Sequence, residues 1–369
     1  MILRKTALLV LSGLPLFIGG YAGTASAEVS PDWYGSLMSD HGVEVEADQR
    51  IFTLFAALNA LGYNAGPAAR VDPIPRPELS EPRRVVRAQA PMSAALADAF
   101  QSFFDQHPLP LRNYVGFAAA LGPAPDFALG SEPPESAPLR GLEQLLARYY
   151  KEGNLGAIYE KLLPQYRAAL KGYLPHLDDA LAAADKILKS PHGDAPPPPV
   201  IAVNLLDGAG SGFGVRRGGG SYLVIGPGMA GRSDDLATTV ASYARVRAGP
   251  VLEERATAVK GLADLVQRVH RLGLPAGNLS AGDYLTRCFS LAVAAQAIPD
   301  QRAAQLQNAV SEGCWLTAEL DRSLGEKAGG GDSSFESFVT GSLGALDAHR
   351  ITSPPAGAEG VTPLRRHGQ

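Results

Sequence analysis

Apolar residues recur at helical spacing along most of the chain. Between Leu155 and Tyr173, the residues Ile158, Leu162, Tyr166 and Leu170 repeat every four positions, which places them on one helix face. Pro164 lies inside this stretch and is expected to kink or split it, because proline has no N–H for the preceding turn. The same spacing predicts helices over Arg50–Leu61, Ser93–His107, Leu111–Leu121, Leu139–Gly153 and Leu177–Lys189. Asp48 is the expected N-cap of the first, and Gly62 its stop. Further helices are expected over Asp234–Arg247, Val251–Leu272, Ala281–Ala297, Ala303–Leu324 and Ser334–Ala348.

Strand patterns are few. Gly42–Glu46 alternates, Val200–Leu206 is apolar except for Asn204, and Tyr222–Ile225 follows a short segment at Val215–Arg217. Glycine-rich turns at 208–214 and 218–220 flank that segment, so this is where a hairpin or meander is expected. Proline-rich loops at Pro67–Pro82 and Pro123–Pro138 and the spacer Pro196–Pro199 separate the helical runs. The prediction is a mainly α fold of the α+β class with one small mixed sheet near the middle of the chain. It divides into an N-terminal, mainly helical region over 28–195 with a short strand near 43–46, a second region of sheet plus helices over 196–350, and a polar tail, expected to be disordered, over 351–369.

The first residues belong to targeting rather than fold. Arg4 and Lys5 precede an apolar run from Ala7 to Ile18, and Ala25-Ser26-Ala27 has the small-x-small form of a cleavage site. This is the three-part pattern of a secretory signal peptide over 1–27, so the expected location is periplasmic or extracellular. After cleavage no stretch is apolar for long enough to span a membrane. With 19 % charged residues and a net charge of −4, no basic surface for nucleic acid is indicated. The 41 glycines and 29 prolines follow no G-x-y period, so the excess belongs to loops.

Local catalytic motifs are missing. The seven histidines are all more than five residues apart, and no HExxH, HxH or CxxC occurs, so neither a metal nor another cofactor is expected. Gly226–Gly231 fits G-x-G-x-x-G, but the helix after it leads to another helix and not to a second parallel strand, so the dinucleotide-binding context fails. Neither Ser211 nor Ser221 has glycine two residues away on both sides, as a nucleophile elbow requires. Asp234-Asp235 and Glu253-Glu254 read as a helix start and a solvated helix face. Cys288 and Cys314 stand equidistant from the turn at Ile298–Gln301. If the flanking runs form an antiparallel hairpin, the two sulfurs lie level and can form a disulfide; the other reading is two separate buried thiols.

One resemblance emerges from element order and scattered phrases. A strand pair with Asn204-Leu205-Leu206 and Tyr222–Pro227 leads into a helix over Leu236–Arg247, which breaks at Gly249-Pro250 and continues as Val251–Glu254; a later helix carries Tyr284–Phe289. Over about residues 40 to 345 this resembles a family of secreted bacterial zincin-like proteins, in which an edge strand precedes a helix reading H-E-[FY]-x-H-x-x-x-x-P and a second helix carries E-[CS]-[FL]. The resemblance implies that Ala241, Ser242 and Arg245 occupy the HExxH positions and Arg287 that of the third zinc ligand. None can do the family's chemistry. Alanine has no donor, arginine is permanently cationic, and serine cannot replace the carboxylate that takes a proton from zinc-bound water. The two guanidiniums either neutralise nearby acids or receive an anion; as the plainer alternative, they snorkel from helix surfaces. The implied function is a pseudo-metallopeptidase without catalytic residues or metal. It binds a peptide or protein through backbone pairing with an edge strand at Tyr222, Leu223, Val224 and Ile225. A hydrolase with an unrecognised site and a structural envelope protein are the alternatives.

Overall fold

Gly42, with φ of +83°, turns the chain between two three-residue strands, β1 (Ser36–Met38) and β2 (Glu44–Glu46), which pair antiparallel. This computed structural model describes residues 35–63, 80–129, 138–188, 197–208, 211–217, 220–226 and 234–328, with Leu343, Leu346, Ala348 and Ile351. The leader, the Gly226–Gly231 motif beyond Gly226, most of the last expected helix and the tail beyond Ile351 lie outside the described residues.

The sheet is completed from the middle of the chain. β2 pairs in parallel with β3 (Val200–Val203), β3 pairs in parallel with β5 (Gly220–Ile225), and β4 (Gly212–Arg217) pairs antiparallel with β5. The resulting order is β1-β2-β3-β5-β4. Ile201–Val203 and Ser221–Ile225 are buried throughout, as expected of parallel strands covered by helices on both faces. The two regions expected at 28–195 and 196–350 therefore share one sheet.

Twelve α-helices surround it among the described residues. They are α1 (Gln49–Ala60), α2 (Glu81–Gln89), α3 (Ala94–Gln106), α4 (Leu111–Ala120), α5 (Leu142–Glu152), α6 (Leu155–Tyr173), α7 (Leu177–Ile187), α8 (Asp234–Arg255), α9 (Leu262–Arg271), α10 (Ala281–Ala297), α11 (Arg302–Ser311) and α12 (Thr317–Ala328). The mainly α fold with one small mixed sheet is thus observed. On one face of β4, Phe213 meets Phe55 of α1 at 6.1 Å between ring centroids, and Val215 lies against Gly116 of α4. On the other face α8 crosses β4 and β5 and packs in turn on α10 and α7. Tyr243 of α8 donates to Asp185 of α7 at 2.7 Å. α10 forms the centre of this half, with Tyr284, Leu285, Cys288, Phe289, Ala292 and Val293 all buried.

Several expectations need correction. Tyr222–Ile225 is not an edge: it lies inside the sheet between β3 and β4, and the edge beside α8 is β4. Pro164 does not split α6; the proline is exposed while Ile158, Leu162, Tyr166 and Leu170 are buried, so packing on that face carries the helix across the lost hydrogen bond. α8 likewise runs through Gly249-Pro250 to Arg255. Pro250 is exposed, and Gly249 lies against Thr286 of α10. The run Ala303–Leu324 is two helices, broken where Gly313 adopts φ of +90°. β1 and α2 were not anticipated; Ser36–Met38 is too short for a pattern, and Glu81–Gln89 hides at the end of a proline-rich connector.

The contact between α8 and β4 depends on absent side chains. A Cβ on Gly212 would stand 2.7 Å from Thr238 Cγ2 and closer still to Ser242 Oγ. A Cβ on Gly214 would stand 2.6 Å from the Ser242 carbonyl oxygen and overlap Val246. Gly214→Ala is expected to cost about 1–3 kcal/mol of stability, because a backbone oxygen cannot move aside cheaply. Gly220→Ala, whose new Cβ would have no neighbour nearer than 3.6 Å, is expected to stay within about 0.5 kcal/mol of the parent. Urea denaturation of both variants checks this, and equal effects would refute the packing argument.

Candidate functional site

The four positions singled out by the resemblance lie on α8 and α10, the two helices stacked behind the sheet. Ser242 is buried with its hydroxyl pressed against the backbone of Gly212 in β4. A longer side chain at 242 would drive into the strand. Ala241, the next residue along α8, is half-buried and brings no polar atom.

Arg245 reaches the start of α10. Ser280 caps this helix by accepting from the Asp283 N–H at 3.1 Å, and its hydroxyl donates to Asp283 Oδ2 at 2.8 Å. Asp283 Oδ1 then accepts from Arg245 at 2.9 Å and from Arg112 of α4 at 2.8 Å. One first-turn carboxylate, favourably placed in the helix dipole, therefore ties α4, α8 and α10 together. Burial pushes the Asp283 carboxyl up, but the Ser280 hydrogen bond and the two guanidiniums hold it below the usual range. Arg245 shifts downward through its own burial and the neighbouring charge of Arg112, with Arg287 adding to the effect. Arg287 donates to Glu312 at 2.5 Å; despite burial, that carboxylate and Cys314 raise its already high value.

The structure thus brings Arg245 and Arg287 to one α8–α10 seam and pairs each with an acid of this chain. Of the readings left open above, neutralisation of nearby acids is the one observed. Ser242 itself packs against β4. Among the described residues no group of three or more histidine, cysteine, aspartate or glutamate side chains is positioned to hold a metal ion.

Cys288 and Cys314 are both buried free thiols. They are neighbours: the Cys288 thiol, pushed up by burial and by Cys314, donates to the Cys314 sulfur, which is shifted downward by that hydrogen bond and, against its burial, by Arg287. The hairpin of two unbroken helices is not the reason. Cys314 sits in the turn between α11 and α12, directly after Gly313.

A second polar cluster went unnoticed in the sequence. Asp48 caps α1 by accepting from the Arg50 N–H at 2.7 Å, and Arg50 Nε holds both of its carboxylate oxygens at 2.9 and 3.0 Å. Arg50 also donates to the carbonyls of Ala119 and Leu121 at 3.0 Å each. From β5, the Tyr222 hydroxyl makes a short hydrogen bond to Asp48 Oδ2 and lies 2.8 Å from Glu46 Oε1. Arg217 of β4 stacks over the Tyr222 ring and stands 3.9 Å from Glu46. Burial pushes Asp48 up, but Arg50 outweighs it and holds the carboxyl below its ordinary value.

A phenol carries one proton and cannot donate to two carboxylates. With Asp48 ionised, the Tyr222 proton belongs to Asp48, so the contact with Glu46 is made by a neutral carboxyl donating back to the phenol oxygen. Burial first, and the charge of Asp48 second, raise Glu46 from 4.5 to about 7, in agreement with the geometry. The glutamates of β2 and the cap at Asp48 were legible; their meeting with Tyr222, far along the chain, was not.

Compared with family models, with curated proteins and with solved structures, the chain matches none.

The proton on Glu46 has a testable consequence. Its folded value lies above the unfolded one, so the folded state keeps this proton where the unfolded chain releases it. The stability it contributes is complete below 4.5 and is lost as pH rises through about 7. Glu46→Gln, a neutral side chain that still donates to Tyr222, is expected to match the parent near about pH 5 and to exceed it in stability near about pH 8. Urea denaturation at both values checks this, and a difference that does not change with pH would contradict it.

Proposed function

We propose that this chain is an exported, non-catalytic zincin-like protein that holds an extended peptide or protein segment by strand addition at β4. Support for the zincin-like reading is the order of elements: an antiparallel edge strand, an inner strand, then helix α8 with its partner α10. Support for the absence of catalysis is chemical. The four motif positions hold no ligand or base, and Arg245 and Arg287 are tied to Asp283 and Glu312.

The observation that carries the binding reading is the backbone of β4. The Gly226 N–H donates to the Ser211 carbonyl at 2.9 Å, so this pair, one step beyond Gly212 and Ile225 in the register, is a hydrogen-bonded one. Antiparallel ladders alternate. Phe213, Val215 and Arg217 therefore bond to β5, while Gly212, Gly214 and Arg216 turn their N–H and C=O groups outward. Among the described residues β4 has a sheet neighbour on one side only. An outward row of backbone donors and acceptors is what an added strand pairs with. This site replaces the one expected at Tyr222–Ile225.

Selection of extended peptides from a displayed random library on the mature chain, residues 28 onward, tests the proposal. Arg216→Pro removes one outward N–H and leaves the ladder to β5 intact. Enriched peptides are expected to bind this variant at least about tenfold more weakly than the parent, a loss of about 1.4 kcal/mol, while Arg216→Ala retains binding. No enrichment, or peptides indifferent to Arg216→Pro, would reject strand addition at β4. Peptide turnover abolished by a chelator would reject the non-catalytic reading.

A further inference from the structure

The two cysteines are not used by the proposed function, yet the fold spends several contacts on their meeting. Cys288 lies mid-way along α10, one turn after Tyr284. The Tyr284 hydroxyl donates to the Gly313 carbonyl at 2.9 Å and accepts from the Trp315 N–H at 3.1 Å. It thus clamps the backbone on both sides of Cys314. Arg287, beside Cys288, fastens Glu312 two residues earlier in the turn. The Cys314 N–H is bonded to the Ala309 carbonyl at 2.8 Å. Residues 312–315 are therefore anchored to the stretch of α10 that presents Cys288, and both side chains are fully buried in mutual contact.

We propose that Cys288 and Cys314 become a disulfide when the chain folds in an oxidising compartment, through exchange with an external disulfide such as a dithiol oxidase or oxidised glutathione. The inference rests on the thiol geometry and on the leader, not on peptide binding at β4. Either thiolate can open the exchange while the turn is unformed. With Cys314 first, its thiolate attacks one sulfur of the oxidant, that disulfide opens, and a mixed disulfide forms with loss of one oxidant thiolate. Cys288, on losing its proton, attacks the Cys314 sulfur, and the second oxidant thiolate leaves. Two protein thiols are oxidised to one disulfide, the oxidant is reduced to two thiols, and the two protons end on them. Both sulfurs are shut off from solvent in the folded chain, so the exchange belongs to the folding chain, before the 312–315 turn closes. The bond then joins α10 to the α11–α12 turn and is shielded from reductants.

Two preparations test this. In one, the full chain with its leader is produced in a bacterium and collected from the periplasm. In the other, the reduced mature chain is refolded in a glutathione redox buffer. Each is unfolded and treated with a maleimide before and after reduction, and weighed by mass spectrometry. In the refolded arm, which does not depend on export, no label is expected before reduction and two labels after it. Digestion is expected to yield one cross-linked peptide pair. The periplasmic sample is expected to agree. Protein reduced while unfolded and refolded and melted in reductant is expected to show a Tm about 5–10 °C below that of the oxidised protein, from the loop constraint removed from the unfolded chain. Cys288→Ser and Cys314→Ser are each expected to abolish that difference. Two labels before reduction in the refolded arm, or a parent Tm that is the same reduced and oxidised, would overturn the proposal. A disulfide in the refolded arm alone would overturn only the export expectation.

Discussion

The close approach of α8 to β4 is the constraint on which the rest of this structure depends. It exists because residues 212 and 214 are glycines, so that the helix rests on strand backbone rather than on side chains. The hydroxyl at 242 is buried by the strand, and the helix is held at a fixed height above the sheet. Arg245, one turn further along α8, then meets the start of α10. β4 is the last strand of the sheet among the described residues, with α8 on one face and α4 on the other. The burial of Ser242 follows from this one contact.

Charge is handled locally in two separate places. At the α8–α10 seam, Asp283 gathers Arg112 and Arg245, and Glu312 takes Arg287. Pairs of this kind add little net stability against an apolar alternative, but losing one partner leaves a desolvated charge behind. They tie α4 and α8 to the start of α10, and α10 to the turn after α11. Across the sheet, Asp48, Arg50, Tyr222 and Glu46 join β2, α1 and β5, although β5 is far away in sequence. Here the excess negative charge is relieved by a proton on Glu46 rather than by a second arginine close enough to neutralise it. Arg217 stands 3.9 Å away at the edge of the cluster.

The helices were legible wherever an apolar face repeats at helical spacing, as in α6 and α10. Prolines misled where that face was intact and the proline pointed to solvent, at Pro164 and Pro250. The sheet was legible as apolar runs at β3 and β5, but its order was not. The runs alone cannot say that Tyr222–Ile225 is flanked on both sides, and the first half of β4, Gly212–Gly214, reads as turn, leaving only Val215–Arg217 as a short segment. A meeting of the two cysteines was one of two open readings, and its reason is replaced by the structure, since Gly313 breaks the helix in which Cys314 was expected. Asp283, Arg112 and Glu312, the partners of the motif arginines, carried no sequence mark, because such pairing is made by tertiary packing.

Amide hydrogen exchange across β4, resolved residue by residue by NMR, tests the central claim most directly. An open edge lying flush on α8 predicts alternation: slow exchange at Phe213, Val215 and Arg217, whose N–H groups bond to β5, and fast exchange at Gly212, Gly214 and Arg216. Uniform protection of all six amides would mean that the outer edge of β4 is already paired, and would contradict the account.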